Sequence, residues 1–149
     1  MAVERALQQS EEKYRLLVKN LPSIVYKGYP DWSVEFFDSK IEQITGYSAD
    51  EFNSKNMKWK DVIIHEDLKA AGEIFVTALK TDKSYVREYR VESKRGSIHW
   101  IQERGQIICN DNREIEYVSG VFFDITDNKR AQEKLRKSEE MARALLNAT

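Results

Sequence analysis

Three runs of strand-forming residues, 84–93, 97–109 and 115–125, follow one another near the end of the chain with almost nothing between them. The links are Lys94-Arg95-Gly96 and Asn110-Asp111-Asn112-Arg113, both rich in turn residues. Links that short join antiparallel neighbours, because a parallel crossover needs a dozen residues or more. Further upstream, β-rich runs at 23–29 and 34–37 flank Pro30-Asp31 and read as a hairpin. Between hairpin and strands lies helical sequence. Residues 39–45 form a short pattern closed by Gly46, and 49–52 form another behind Ser48 as cap. From 66 to 80, Leu68, Ala71, Gly72, Phe75, Val76 and Leu79 fall on one helix face. The order ββ, helices, βββ predicts an α+β fold, a five-stranded antiparallel sheet with short helices on one face.

Both ends of the chain are amphipathic and resemble each other. Leu7, Ser10, Glu11, Glu12, Arg15 and Leu17 recur 128 residues later as Leu135, Ser138, Glu139, Glu140, Arg143 and Leu145. Heptad-like seams run through Leu7, Tyr14 and Leu17 and again through Leu135 and Leu145. A repeat of that kind marks one unit of a tandem array, so an effector domain is expected in the same chain. The sequence divides into a linker helix at 1–21, a core at 22–126 and an outgoing coiled-coil-like helix at 127–149.

Charge excludes some partners. Lys and Arg number 24 against 25 Asp and Glu, and the signs are interleaved. Nucleic-acid binders present a basic face, so no nucleic-acid partner is expected. No apolar run approaches the roughly 18 residues of a membrane helix, and the start lacks a signal peptide's apolar core. No membrane contact is expected of this segment, which reads as cytoplasmic even if its parent is anchored elsewhere. The single Cys109 sits in an apolar run, suits a reducing compartment and reads as a packing residue. Two His and one Cys give no metal cluster, and the six scattered Gly form no phosphate loop. With no G-x-S-x-G and no H-E-x-x-H, no catalytic residue is named and the chain is not expected to be an enzyme.

Several segments then resemble one family. Ile44-Thr45-Gly46-Tyr47-Ser48 with Asp50-Glu51-Phe52, Trp59-x-Asp61-Val62-Ile63-x-His65-Glu66-Asp67, and Tyr89-Arg90-Val91 through Gly96-Ser97-x-x-Trp100-Ile101 are similar to motifs of the PAS domain family. Gly120-Val121-Phe122-Phe123-Asp124-Ile125-Thr126 resembles its closing signature, and the likeness spans about residues 10–130. Glu66 and Arg95 depart from the usual Pro and Asp. A Glu suits a first helical turn, and Gly96 still supplies the positive φ of a tight hairpin, so both changes are compatible with the fold.

The resemblance implies a sensor that holds a small ligand between sheet and helices. Its candidate lining is Tyr26, Phe36, Ile44, Trp59, Ile63, Leu68, Phe75 and, from the last strands, Trp100. The same residues would equally fill a core with no ligand. On the penultimate strand Trp100, Gln102 and Arg104 share one face and Ile101, Glu103 and Gly105 the other, with either face open to being the inner one. The Asn-Cys-Arg-Phe motif of covalent flavin chemistry is absent. His65, at the start of the long helix, is expected to cap N–H groups or pack, and His99 to be exposed or packed, so haem is not indicated and the cofactor stays unknown. Asp124, Ile125 and Thr126 would couple the sheet to the outgoing helix, with Thr126 or Asp127 as its cap. The implied role is the signal-input domain of a sensor histidine kinase acting as a parallel homodimer. The alternative is a domain of a diguanylate cyclase or other regulator that only docks chains together.

Overall fold

The computed structural model describes Arg5, Gln8, Gln9 and residues 23–148. Leu7, Tyr14 and Leu17 of the first seam lie outside the described residues, as does most of the linker helix.

The chain opens on β1 (Ser23–Gly28), which turns back into β2 (Val34–Phe36). Alternation turns Ile24 and Tyr26 inward while Val25 is half exposed. In the turn, the Asp31 carboxylate accepts from the Ser33 N–H at 3.0 Å and its hydroxyl at 2.6 Å, and Trp32 adopts a φ of +71°. Few non-glycine residues take that conformation, so the turn is held by its surroundings. The Trp32 carbonyl accepts the Trp59 backbone N–H at 2.8 Å.

Two short helices follow. α1 (Lys40–Thr45) stops at Gly46, whose φ of +76° lets its N–H reach the Glu42 carbonyl. α2 (Ala49–Asn53) begins with a capping box between Ser48 and Glu51. Asn53 fixes α2 to the sheet, because its side chain both accepts from the Phe36 N–H and donates to the Phe36 carbonyl. After a 3-10 turn at Trp59–Asp61, α3 (His65–Lys80) crosses the sheet. Its inner stripe is Leu68, Ala71, Gly72, Phe75, Ala78 and Leu79. Val76, expected on that stripe, is half exposed instead, since the i, i+3, i+4 rows from Ala71 continue through Phe75 and Ala78. His65 is exposed rather than capping or packed, and Ile64 stands as an N-cap without a side-chain bond.

The three closing strands are β3 (Ser84–Glu92), β4 (Ile98–Cys109) and β5 (Ile115–Asp124). They complete a five-stranded antiparallel sheet in the order β2-β1-β5-β4-β3, with the chain's first strand beside its last. Cys109, half-buried at a register shift, packs against the core. Between sheet and helices runs a stack of rings: Trp59 lies 4.5 Å from Phe122, and Phe122 lies 4.1 Å from Tyr26. Finally α4 (Thr126–Asn147) leaves the sheet, about 33 Å of helix on which Leu135, Met141, Leu145 and Leu146 are exposed. Among the described residues no helix is long and apolar enough to cross a membrane.

Candidate functional site

Strand alternation turns Tyr85, Arg87, Tyr89 and Val91 of β3 and Ile101, Glu103, Gly105 and Ile107 of β4 into the interior. The inner face of β4 is therefore the one carrying Ile101, Glu103 and Gly105. Arg87 and Glu103 are direct cross-strand partners, so two opposite charges meet in the core. Glu103 Oε1 accepts from the Tyr89 hydroxyl at 2.5 Å and Arg87 Nε at 2.9 Å. Its Oε2 accepts from the Tyr85 hydroxyl at 2.6 Å, Arg87 Nη2 at 3.1 Å and the Tyr26 hydroxyl. Five donors fill the roughly four lone-pair sites of a carboxylate. Trp59 Nε1 donates to the Tyr89 hydroxyl at 2.7 Å, and Arg87 Nη1 to the Ala71 carbonyl at 2.9 Å, which ties the cluster to α3.

Electrostatics follow from burial. Loss of water, and then the Glu103 charge beside them, push the Tyr26, Tyr85 and Tyr89 phenols far above their usual 10.0, so they remain donors. Burial works against the Arg87 charge, but Glu103 together with Tyr89 and Tyr85 more than offsets it and raises the guanidinium above its usual range. Such a pair is costly to break from one side, because the survivor is an unpaired buried charge.

Two glycines lay the tyrosines in place. Gly105 and Gly120 are cross-strand partners. A Cβ on Gly105 would stand 2.5 Å from the Tyr85 ring, and one on Gly120 2.6 Å from the Tyr26 ring. Only bare backbone lets both rings lie flat with their hydroxyls over Glu103.

Beside this cluster is a cavity of about 230 Å³. Tyr26, Val118 and Phe122 of the sheet, Trp59, Gly72 and Phe75 of the helical layer, and the turn residues Tyr29, Pro30, Trp32 and Ser33 wall it, with Tyr85, Arg87 and Glu103 beneath. Exposed Pro30 and half-exposed Val76 set its mouth between the β1–β2 turn and α3. A Cβ on Gly72 would meet nothing within 4 Å, although a mid-helix glycine costs about 0.5–1 kcal/mol relative to alanine.

Of the lining expected from sequence, Tyr26, Trp59 and Phe75 are on this wall. Phe36, Ile44 and Ile63 are buried and Leu68 half-buried, in the core but off the wall. Trp100 is a correction: it is on the opposite face of β4 from Glu103, half-buried, with Lys129 Nζ 4.9 Å and the Arg90 guanidinium 5.7 Å from its ring. Sequence reading missed Tyr85, Arg87, Glu103, Gly72 and Trp32. One signal was available, a Lys/Arg–Glu/Asp match at paired positions of two otherwise apolar inward rows.

The start of β4 leads to α4. Trp100 N–H donates to Thr126 Oγ1 at 2.9 Å, and the Ile125 N–H to the Trp100 carbonyl at 2.9 Å. Asp124 Oδ1 accepts from the Thr126 N–H at 3.0 Å and from its hydroxyl, while Oδ2 meets His99 Nδ1 at 3.0 Å. The N-cap position is Ile125, without a side-chain bond of its own, so Thr126 and Asp127 are not the cap; Asp124, one residue earlier, satisfies the first helical N–H. Among the described residues no group of three or more His, Cys, Asp or Glu is placed to hold a metal.

A family model described as PAS fold matches residues 34–122. The methyl sulfide methyltransferase-associated sensor of Methanosarcina acetivorans is 28% identical over 134 residues, 89% of this chain and 13% of that protein. The blue-light-activated histidine kinase of Brucella ovis is 25% identical over 158 residues, 99% of this chain and 29% of that protein. The crystal structure of a sensory box histidine kinase/response regulator from Burkholderia thailandensis superposes with a TM-score of 0.69 at 26% identity, covering 89% of this chain and 98% of that one. The chain thus spans less than a third of the length of these two curated relatives, a sensor and a blue-light-activated histidine kinase. The matched segment runs from the first residue of β2 through Phe122 in β5, taking in Trp59, Arg87 and Glu103, and the chain belongs to the PAS-fold family.

Proposed function

We propose that this chain is the sensory input domain of a sensor histidine kinase, in which the state of the cavity over Glu103 resets α4. The observation that carries this reading is the double use of β4. Its middle bears Glu103 on the inner face and its start holds Thr126 through the Trp100 main chain, so a shift of one strand acts on both. Asp124, Ile125 and Thr126 are the coupling residues in this reading. Leu135 and Leu145, exposed on α4, and Leu7, Tyr14 and Leu17 form the seam of a parallel homodimer. The effector is in the same chain and outside this segment, in the cytoplasm, a compartment that suits an unpaired Cys109.

In the full-length parent, Leu135→Asp and Thr126→Val are expected to change effector output severalfold while the core stays folded. A monomer at high concentration in sedimentation, together with unchanged output from both variants, would overturn the reading. The exposed leucines of α4 also favour a second reading, a docking module that pairs chains without a ligand and serves a kinase, a diguanylate cyclase or another regulator. Native mass spectrometry separates the two, since a small molecule carried through purification supports sensing and a bare dimer supports docking.

A further inference from the structure

The geometry points to a neutral, two-ring aromatic molecule bearing a hydrogen-bond acceptor as the ligand of the cavity, with Gly72 holding the space for it. This deepens the sensory role and rests on the cavity being the input site.

Size gives the first argument. An engineered protein cavity of about 150 Å³ takes up benzene, and this one is 230 Å³. Two fused rings match that space. The second argument is the wall, which is lined by the rings of Trp32, Phe75 and Tyr85 and by Phe122 in its stack between Tyr26 and Trp59.

Polarity narrows the class. The strongest acceptor on the wall, the Glu103 carboxylate, is filled by five donors. The Tyr26 and Tyr85 hydroxyl hydrogens are spent on it, while the Ser33 hydroxyl donates to Asp31 and that of Tyr29 to Glu35. Donors, by contrast, remain. A guanidinium has five N–H groups, and three of those on Arg87 are engaged. No hydrogen bond from the Trp32 indole N–H is formed among the described residues. A charged N–H makes the stronger bond, so a ligand gains more by bringing an acceptor to Arg87 than by bringing a donor to the hydroxyl oxygens of Tyr29 and Ser33, which keep lone pairs. Charge narrows it again, because Arg87 and Glu103 cancel and a charged ligand would be left without a buried counter-charge.

Gly72 is the specificity-determining position. Neither backbone conformation nor a close neighbour demands a glycine there, since φ is not positive and a Cβ would meet nothing within 4 Å. What its missing side chain does is keep one wall open.

The test is a titration of the 149-residue chain, followed by amide NMR, with three two-ring probes. Coumarin is neutral with a carbonyl acceptor, indole is neutral with a donor only, and 2-naphthoate is charged. Coumarin is expected to bind at least tenfold more tightly than either of the others. Gly72→Leu is expected to weaken coumarin at least tenfold with an equal or higher melting temperature. Should that variant not fold, Val76→Trp fills the same space from the mouth and is expected to give the same loss. Equal binding of indole or 2-naphthoate would overturn the ligand class. No binding of coumarin, or binding that survives both substitutions, would overturn the site. Coumarin binding that is lost in Gly72→Leu yet leaves the Thr126 amide signal unmoved keeps this inference and overturns the sensory reading alone.

Discussion

The middle and the start of β4 both carry polar groups, and they use them in opposite ways. In the middle, on the inner face, Glu103 is 1% exposed and holds Tyr26 of β1 and Tyr85, Arg87 and Tyr89 of β3 in a closed set of bonds. At the start, Trp100, Asp124, His99 and Thr126 make a similar number of bonds, but Trp100, Asp124 and His99 are only half-buried, and water can replace what is lost. The inner set fixes where β1, β3 and β4 lie relative to α3. The set at the strand's start allows α4 to be re-seated at small cost. A rigid reader and a soft output thus share one strand.

The largest effect should come from breaking the inner set. Glu103→Gln leaves Arg87 buried without its counter-charge and is expected to lose about 3–5 kcal/mol in urea unfolding, whereas Gln102→Ala next door on the outer face should change stability by less than about 0.5 kcal/mol. Equal losses would erase the distinction between the faces. Alkali sharpens it further. The Tyr26, Tyr85 and Tyr89 phenols are raised in the folded state, so their contribution is complete below the usual 10.0 and falls as unfolded-state phenols ionise above it. Each should remove about 1.4 kcal/mol per pH unit there. Tyr89→Phe should make the slope shallower by one such step, measured by unfolding curves above pH 10. A smaller effect belongs to the start of β4. Thr126→Val deprives the Trp100 N–H of its acceptor and should cost about 1–2 kcal/mol, with faster amide exchange confined to Trp100 and the first turn of α4.

The fold was legible because its signals are local. Gly46 and Ser48 marked helix ends that the structure keeps, and the Gly96 turn stands where strand patterns broke. The site was only half legible. Tyr26, Trp59 and Phe75 could be picked out as apolar residues at inward spacing, yet so could Phe36 and Ile44, which pack elsewhere. Trp100 misled because a large ring suggests the core, although its ring lies against the Lys129 and Arg90 side chains on the far face. Arg87 and Glu103 went unseen for the converse reason. One charge in an otherwise apolar row argues against that row being the inner one, and only the register that pairs the two reveals that each neutralises the other. Gly72 could be placed on the inner helix face but not beside a cavity, since empty space next to a helix is set by elements distant in sequence.

The pairing of Arg87 with Glu103 also constrains the history of this sequence. Either residue changed alone strands its partner in the core, whereas both changed together to apolar residues of similar volume would be tolerated. Descendants of this sequence are therefore expected to hold both charges or neither, and a lineage that crosses from one state to the other must do so by a double step or under the cover of stability gained elsewhere.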